Sequence, residues 1–422
     1  MPDLLITGAS QLLTLRGRGP RRGKTLSNLG IIQDAALLVR DGLIAAVGTR
    51  VKVEALPEAK KAEKLNLGGR VVLPGFVDSH THLVHAASRA KEYELRIQGA
   101  SYEEIARNGG GILNSVKKLR AAAGEALEKR ALAALKQFAA HGTTTLEAKS
   151  GYGLNVETEL KTLFLHQELR RKQPLDIVST FLGAHVVPEE FRARGEDRYF
   201  SVVLEPLLRE AGKSHLAEFC DVFCDRGAFT LEQSRQILEE GKRHGLIPRV
   251  HAEQLTRTGA TQLAVHLGAA SCDHLEQINS SDIRALAKSK TVATLLPGCD
   301  FHLGLKQYAP ARKLIDAGAI VALATDYNPG TSPTMSMPMI LSLACTQLRM
   351  TPAEAITAAT INGAYALRRD KHAGSLEVGK FADLAVFDVA DYREIPYYFG
   401  VNTCWLTLKR GVVVHASSNA TT

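Results

Sequence analysis

No run of apolar residues in this chain approaches the roughly 18 that a membrane span needs, and the amino terminus, MPDLLITGASQLLTLRGRG, has no signal-peptide layout. A membrane partner is therefore not expected, and a cytoplasmic location is. Cysteine is sparse, at six in 422 residues. Cys220 and Cys224 are separated by three residues and the other four are scattered, so neither a zinc ribbon nor a redox pair is spelled out, and reduced, buried thiols are expected. Dense basic runs interleaved with aromatics are also missing. The net charge of +8 comes from dispersed lysines and arginines, and the short clusters RGRGPRRGK and KKAEK read as solvated surface. Nucleic acid is not an expected partner, whereas a basic bias suits a small anionic ligand. Low-complexity segments and sequence repeats are absent.

What is present is alternation. A hydrophobic content of 45% and a charged content of 23% are those of a globular chain, and 422 residues suffice for one large barrel or two domains. Eight short apolar runs end in polar residues: VVLPGFVDSHTH, GTTTLEAKSGYG, DIVSTFLGAH, FCDVFCDRG, LIPRVHAEQ, AASCDHLEQ, TVATLLPG and AIVALATDYNPG. Between them lie stretches such as TLEQSRQILEEGKRHG, with apolar residues at helical spacing. Strands alternating with helices pair in parallel, and eight of them predict a closed (β/α)8 barrel of the TIM type over residues 71–377. Residues 1–70 and 378–422 instead read as short strands and turns, which predicts a small β-sandwich domain built from both termini.

In such barrels the chemistry sits at the carboxyl ends of the strands. Those ends carry His80 and His82, Lys149 and Tyr152, His185, Asp225, His251, His274 and Asp326. Alternate residues of an extended chain face the same side, so His80 and His82 can both address one ion. Neutral imidazoles bind zinc or iron and a carboxylate adds charge. His80, His82, His251 and Asp326 would hold one such ion and leave a position for water. The fourth run, FCDVFCDRG, has no lysine of the kind that bridges two metals in related barrels, which favours a single ion per chain. His85, His141, His166, His215, His244 and His302 are read as structural.

With these residues placed, the chain resembles the amidohydrolase superfamily and, more narrowly, its imidazolonepropionase family. The motifs LPGFVDSHTHLV, GGGILNSV, GTTTLEAKSGYGL, STFLGAHVVP, HAEQL, DHLE and LATDYNPGTSP carry the likeness over nearly the whole chain, and KSGYGL and DYNPGTSP are what narrow it. The resemblance implies hydrolysis of 4-imidazolone-5-propanoate to N-formimidoyl-L-glutamate, a bound zinc or iron, and a homodimer. It carries substrate contacts onto Arg89, Tyr102, Tyr152, His185, Gln254, Asn328, Gly330 and Thr331, and metal ligands onto His80, His82, His251 and Asp326.

Arg89 has a physical rationale of its own, since a propanoate carboxylate suits a planar, bidentate cation. Tyr152 sits between two glycines that permit unusual backbone angles. His274 is the candidate to polarise the carbonyl or steady the oxyanion, Asp326 can both hold metal and accept water's proton, and His185 contacts either the ring or the carboxylate. Gln254 departs from related barrels that place a glutamate there. An amide hydrogen-bonds but cannot titrate, so proton delivery falls to Asp326 or His274 unless Glu253 turns inward. This disfavours the closest rival, a deaminase or cyclic amidase acting on another nitrogen heterocycle. A metal-free relative serving protein interactions is disfavoured because all four ligand positions are kept.

Overall fold

Valine- and leucine-rich segments with glycine at their turns open the chain as strands β1 (Leu4–Leu13), β2 (Ile31–Arg40), β3 (Leu43–Thr49) and β4 (Glu63–Pro74). The computed structural model describes residues 3–17, 19–100, 104–105, 109–192 and 196–418. After β4 come eight parallel strands: β5 (Phe76–Asp78), β6 (Thr143–Lys149), β7 (Asp176–Ala184), β8 (Phe219–Cys224), β9 (Ile247–Ala252), β10 (Ser271–His274), β11 (Val292–Leu295) and β12 (Ile320–Leu323). Each pairs with its neighbour in sequence. All eight expected runs are strands.

The last strand returns to the first through a parallel bridge between Thr81 and Tyr327. There the Asp326 amide donates to the His80 carbonyl at 3.0 Å and the His82 amide to the Tyr327 carbonyl at 2.8 Å. This seam sets residues 80, 82 and 326 side by side. The crossover helices begin where caps satisfy their free amides. Thr230 with Gln233, Asn279 with Asp282, and Thr351 with Glu354 each form a reciprocal capping box. Leu207, Ile237, Leu238, Leu286, Leu314 and Ile340 then seal the helical ring onto the strands in one apolar cluster, each such burial contributing about 1.5–3 kcal/mol.

Strands β13 (Leu384–Phe387), β14 (Cys404–Lys409) and β15 (Val412–Ala416) close the chain by joining the first four in one mixed sheet, ordered β15-β14-β13-β4-β1-β2-β3. Leu37 and Val39 from one end share an apolar cluster with Leu384, Val386, Leu406 and Leu408 from the other, so strands from both termini bury one common core. The two parts are pinned by Lys409, whose Nζ lies 2.7 Å from Asp176 Oδ2 on β7 and 2.6 Å from Asp383 Oδ2. Among the described residues, no helix is long and apolar enough to cross a membrane.

The barrel lumen is unlike the rest of the core. Glu147, Lys149, Asp221, Arg249 and Asp273 point into it, all without solvent exposure. Charges are buried this deeply only in pairs.

Candidate metal centre and active site

His80, His82 and His251 converge so that one ligand atom from each lies within 4.8 Å of the others. The fourth expected ligand is there too: Asp326 Oδ1 is 3.5 Å from His80 Nε2 and 3.6 Å from His82 Nε2. His80 Nε2 and His251 Nε2 are buried with no hydrogen-bond partner. Burial also pushes the Asp326 carboxyl up to about 7 and holds His80 and His82 well below the usual imidazole range. Neutral imidazoles with unshared lone pairs around an uncompensated carboxyl are what a divalent or trivalent cation would satisfy, so the donor set fits one metal.

Behind the ligands lies a network that strand ends alone do not reveal. Asp273 Oδ2 is 2.7 Å from His80 Nδ1, and Asp221 Oδ2 is 3.1 Å from His251 Nδ1. Each carboxylate can therefore hold a proton on the Nδ1 of its histidine and turn Nε2 toward the metal. Lys149 Nζ lies 2.6 Å from Asp221 and 2.9 Å from Glu147, while Arg249 reaches Glu147 at 3.1 Å and Asp273 at 3.2 Å. Burial alone would push the carboxyls of Asp221 and Asp273 above the ordinary carboxylate range. The charges of His251 and Lys149 at the first, and of Arg249 and Lys149 at the second, outweigh it and keep both below the ordinary range. Three carboxylates face two cations, which leaves one negative charge in excess beneath the metal position. A signal for these residues exists in the sequence. Glu147 with Lys149, and Arg249 with His251, are charged residues two apart in otherwise apolar strands, and so share the inward face.

The expected substrate contacts fall on the rim. His82 stacks on His185 with ring centroids 5.2 Å apart, and Tyr152 packs 5.3 Å from His185. Gly151, at φ +105°, turns the chain there, and a Cβ on it would come within 2.6 Å of the Leu182 carbonyl. Arg89 lies against the DYNPGT loop, where a Cβ on Gly330 would sit 2.1 Å from its Nη1. Its Nε donates to Glu92 at 2.7 Å. Asn328 uses its side chain within that loop, donating to the Asp326 carbonyl and accepting from the amides of Gly330 at 2.8 Å and Thr331 at 2.7 Å. Tyr102 lies outside the described residues.

His274 stands 5.4 Å from the His251 ring and 5.7 Å from the His80 ring. Burial holds its imidazole below the usual range, in the neutral form at neutral pH. Gln254 Nε2 donates to the Cys299 thiol at 3.6 Å. Glu253 does not turn inward. It accepts from the amides of Gly259 at 2.8 Å and Thr261 at 2.9 Å and from the Thr261 hydroxyl, capping the helix Ala260–Leu267. Asp225 is likewise occupied, tying down the amides of Leu255 and Thr256.

A sequence profile of the amidohydrolase family matches residues 71–415. The chain is 45% identical over 415 residues to an imidazolonepropionase of Brevibacillus brevis, covering 97% of each chain. It is 47% identical over 421 residues to one of Geobacillus kaustophilus, covering 98% of each, and 47% over 401 residues to one of Solibacter usitatus, covering 95% of this chain and 96% of the other. Solved structures share the fold at low identity. An adenosine deaminase of Xanthomonas campestris with bound zinc matches at TM-score 0.72 and 16% identity over 98% of this chain and 92% of its own. A triazine hydrolase variant matches at TM-score 0.72 and 18% identity over 97% and 94%.

Proposed function

The chain belongs to the amidohydrolase family and, within it, to the imidazolonepropionases, hydrolases of histidine degradation; we propose that one metal ion held by His80, His82, His251 and Asp326 serves its reaction. Water adds to the ring carbonyl of 4-imidazolone-5-propanoate, the cyclic C–N bond breaks, the freed nitrogen gains a proton, and N-formimidoyl-L-glutamate leaves. When bound, zinc or iron makes a water nucleophilic near neutral pH and polarises the carbonyl.

The residues of the chain do the rest. Asp326 accepts a proton from the adding water and returns it to the freed ring nitrogen. His274 hydrogen-bonds the carbonyl oxygen and steadies the charge that grows on it. Arg89 receives the propanoate carboxylate through its Nη groups, next to Gly330 and Thr331 in the loop that Asn328 folds. His185 and Tyr152 wall one side of the ring. Gln254 offers the ring a hydrogen bond but no proton.

Convergence of three neutral imidazoles and a carboxylate on one point is the observation that supports this reading most strongly. We place the enzyme in the cytoplasm as a homodimer carrying one zinc or iron per chain. Metal analysis of wild type and His80→Ala, paired with a spectroscopic ring-opening assay, tests the assignment. We expect about one ion per chain and rapid turnover in wild type and loss of both in the variant. Turnover by metal-free His80→Ala would end it. Bound metal with no ring opening would point instead to another heterocycle.

A further inference from the structure

Beside His274 lies a second pair of carboxyl groups that the proposed reaction does not use. Glu276 follows β10 and Asp300 sits in the helix Pro297–Leu303; they are 3% and 2% exposed and hydrogen-bonded to each other. Among the described residues, no lysine or arginine forms an ion pair with either. The titratable groups that face the pair are His274, Asp225, Asp326, the Cys299 thiol and the Tyr308 phenol. None of these supplies a fixed positive charge.

The backbone aims Glu276 at His274. His274 and Leu275 both take φ +80°, two successive non-glycine residues in a left-handed region that disfavours side chains. The turn is held by the Leu275 amide donating to the Ala252 carbonyl at 3.1 Å and the Gln277 amide to the Glu253 carbonyl at 2.8 Å. It brings Glu276 Oε1 to 3.7 Å from His274 Nδ1. Neither of those atoms has another hydrogen-bond partner, and both are buried. At 3.7 Å the two atoms stand just beyond hydrogen-bond reach, and one shared proton would satisfy both.

We propose that Glu276 is a positioning residue: together with Asp300 it retains one proton and donates it as a hydrogen bond to His274 Nδ1, which fixes the imidazole as the tautomer whose Nε2–H points to the substrate carbonyl. The inference rests on the role proposed above for His274. A neutral imidazole donates from one nitrogen only, and the partner of the other nitrogen chooses which. An ionised Glu276 would draw the hydrogen to Nδ1 and leave Nε2 as an acceptor, which repels a carbonyl oxygen. A protonated Glu276 does the reverse. Two facing carboxyls without a cation cannot both ionise near neutrality. Consistent with that, burial pushes Glu276 up to about 8, and burial with the Glu276 charge pushes Asp300 up to about 9.

Glutamine copies the donor of a protonated Glu276 but cannot ionise, so pH profiles of Glu276→Gln and Glu276→Ala provide the test. Wild type is expected to lose kcat above about pH 8, as the pair gives up its proton. Glu276→Gln should keep kcat within about threefold of wild type at neutral pH and lose that alkaline limb, while Glu276→Ala should lose kcat about 10²-fold with KM little changed. Asp300→Ala removes the hydrogen bond through which Asp300 lowers Glu276 and should move the limb to higher pH, an outcome that does not depend on Glu276→Gln folding.

Metal content and melting temperature at wild-type values exclude a merely structural effect. Glu276→Gln as inactive as Glu276→Ala, an alkaline limb that Glu276→Gln leaves in place, or a limb unmoved by Asp300→Ala would each overturn the proposal. His274→Ala separates the two levels. Full turnover there removes the role of His274 itself, and Glu276 falls with it. An inactive His274→Ala beside an inactive Glu276→Gln removes Glu276 alone.

Discussion

Asp273→Asn should weaken metal binding without unfolding the protein. One oxygen of Asp273 lies 2.7 Å from His80 Nδ1 and accepts from Arg249 Nη2 at 3.2 Å. An asparagine oxygen in the same place can keep both contacts, but without the negative charge that strengthens them. Loss of a charge-assisted hydrogen bond costs about 1.5–3 kcal/mol. Carboxylates that orient a ligating histidine typically change metal affinity about 10–100-fold, or about 1.4–2.7 kcal/mol at 1.36 kcal/mol per tenfold. The two figures agree, and the excess negative charge under the site is lost as well. The fold should survive, because Arg249 keeps its contact with Glu147 at 3.1 Å and its donation to the Ser79 carbonyl at 2.7 Å. Metal-stripped protein titrated with zinc against a chromophoric chelator gives the affinity directly. The variant should require roughly 10–100-fold more free zinc for half-occupancy and recover most of its turnover at saturation. Unchanged zinc affinity in a folded variant would refute the argument that Asp273 holds His80 for the metal.

Arg89→Met should raise KM by roughly 10–150-fold, the worth of a charged hydrogen bond, and leave metal content unchanged; an equal loss with an uncharged imidazolone would remove the carboxylate role. Gly330→Ala should shift KM in the same direction, because the added methyl would stand 2.1 Å from Arg89 Nη1; wild-type KM would show that Arg89 moves aside at no cost. His166 is buried against Ser179 Oγ at 2.9 Å, and burial lowers its imidazole to about 3, against 6.5 when unfolded. The unfolded chain therefore takes up this proton first. Stability falls as pH drops below about 6.5, by up to about 1.4 kcal/mol per unit for one proton. His166→Gln should lower that acid-side slope in denaturant titrations from pH 6.5 to 5, and an unchanged slope would place the proton uptake elsewhere.

The barrel could be read from the chain because each of its eight strands is announced twice, by an apolar run and by the polar residue that ends it. The four converging ligand positions follow from the same rule, since His80, His82, His251 and Asp326 all sit at or just past a strand end. Less could be read where a side chain's partner is remote in sequence. Glu147, Asp221, Arg249 and Asp273 lie inside strands, and what makes them important is one another, across gaps that only the closed sheet spans. Glu253 shows the converse. Its position beside His251 suggested an acid for the site, but the free amides of the helix Ala260–Leu267 compete for it and win. Asn328 matches a substrate contact by motif, yet its side chain folds its own turn.

One residue type fills opposite electrical roles in this barrel, and what lies beside each carboxyl decides which. Asp221 and Asp273 are as buried as Glu276 and Asp300, so burial cannot distinguish them. Lys149 and Arg249 stand next to the first two and keep them ionised, as carboxylates that hold a proton on the far side of a metal-facing imidazole. The second two have only each other, and the pair keeps a proton that an imidazole can borrow as a hydrogen bond. The same imidazole chemistry therefore yields a lone pair for a metal at His80 and His251, and an N–H for a carbonyl at His274. With Gln254 unable to titrate, the choice of tautomer at His274 is how this site presents a hydrogen to the substrate without a glutamate at that position.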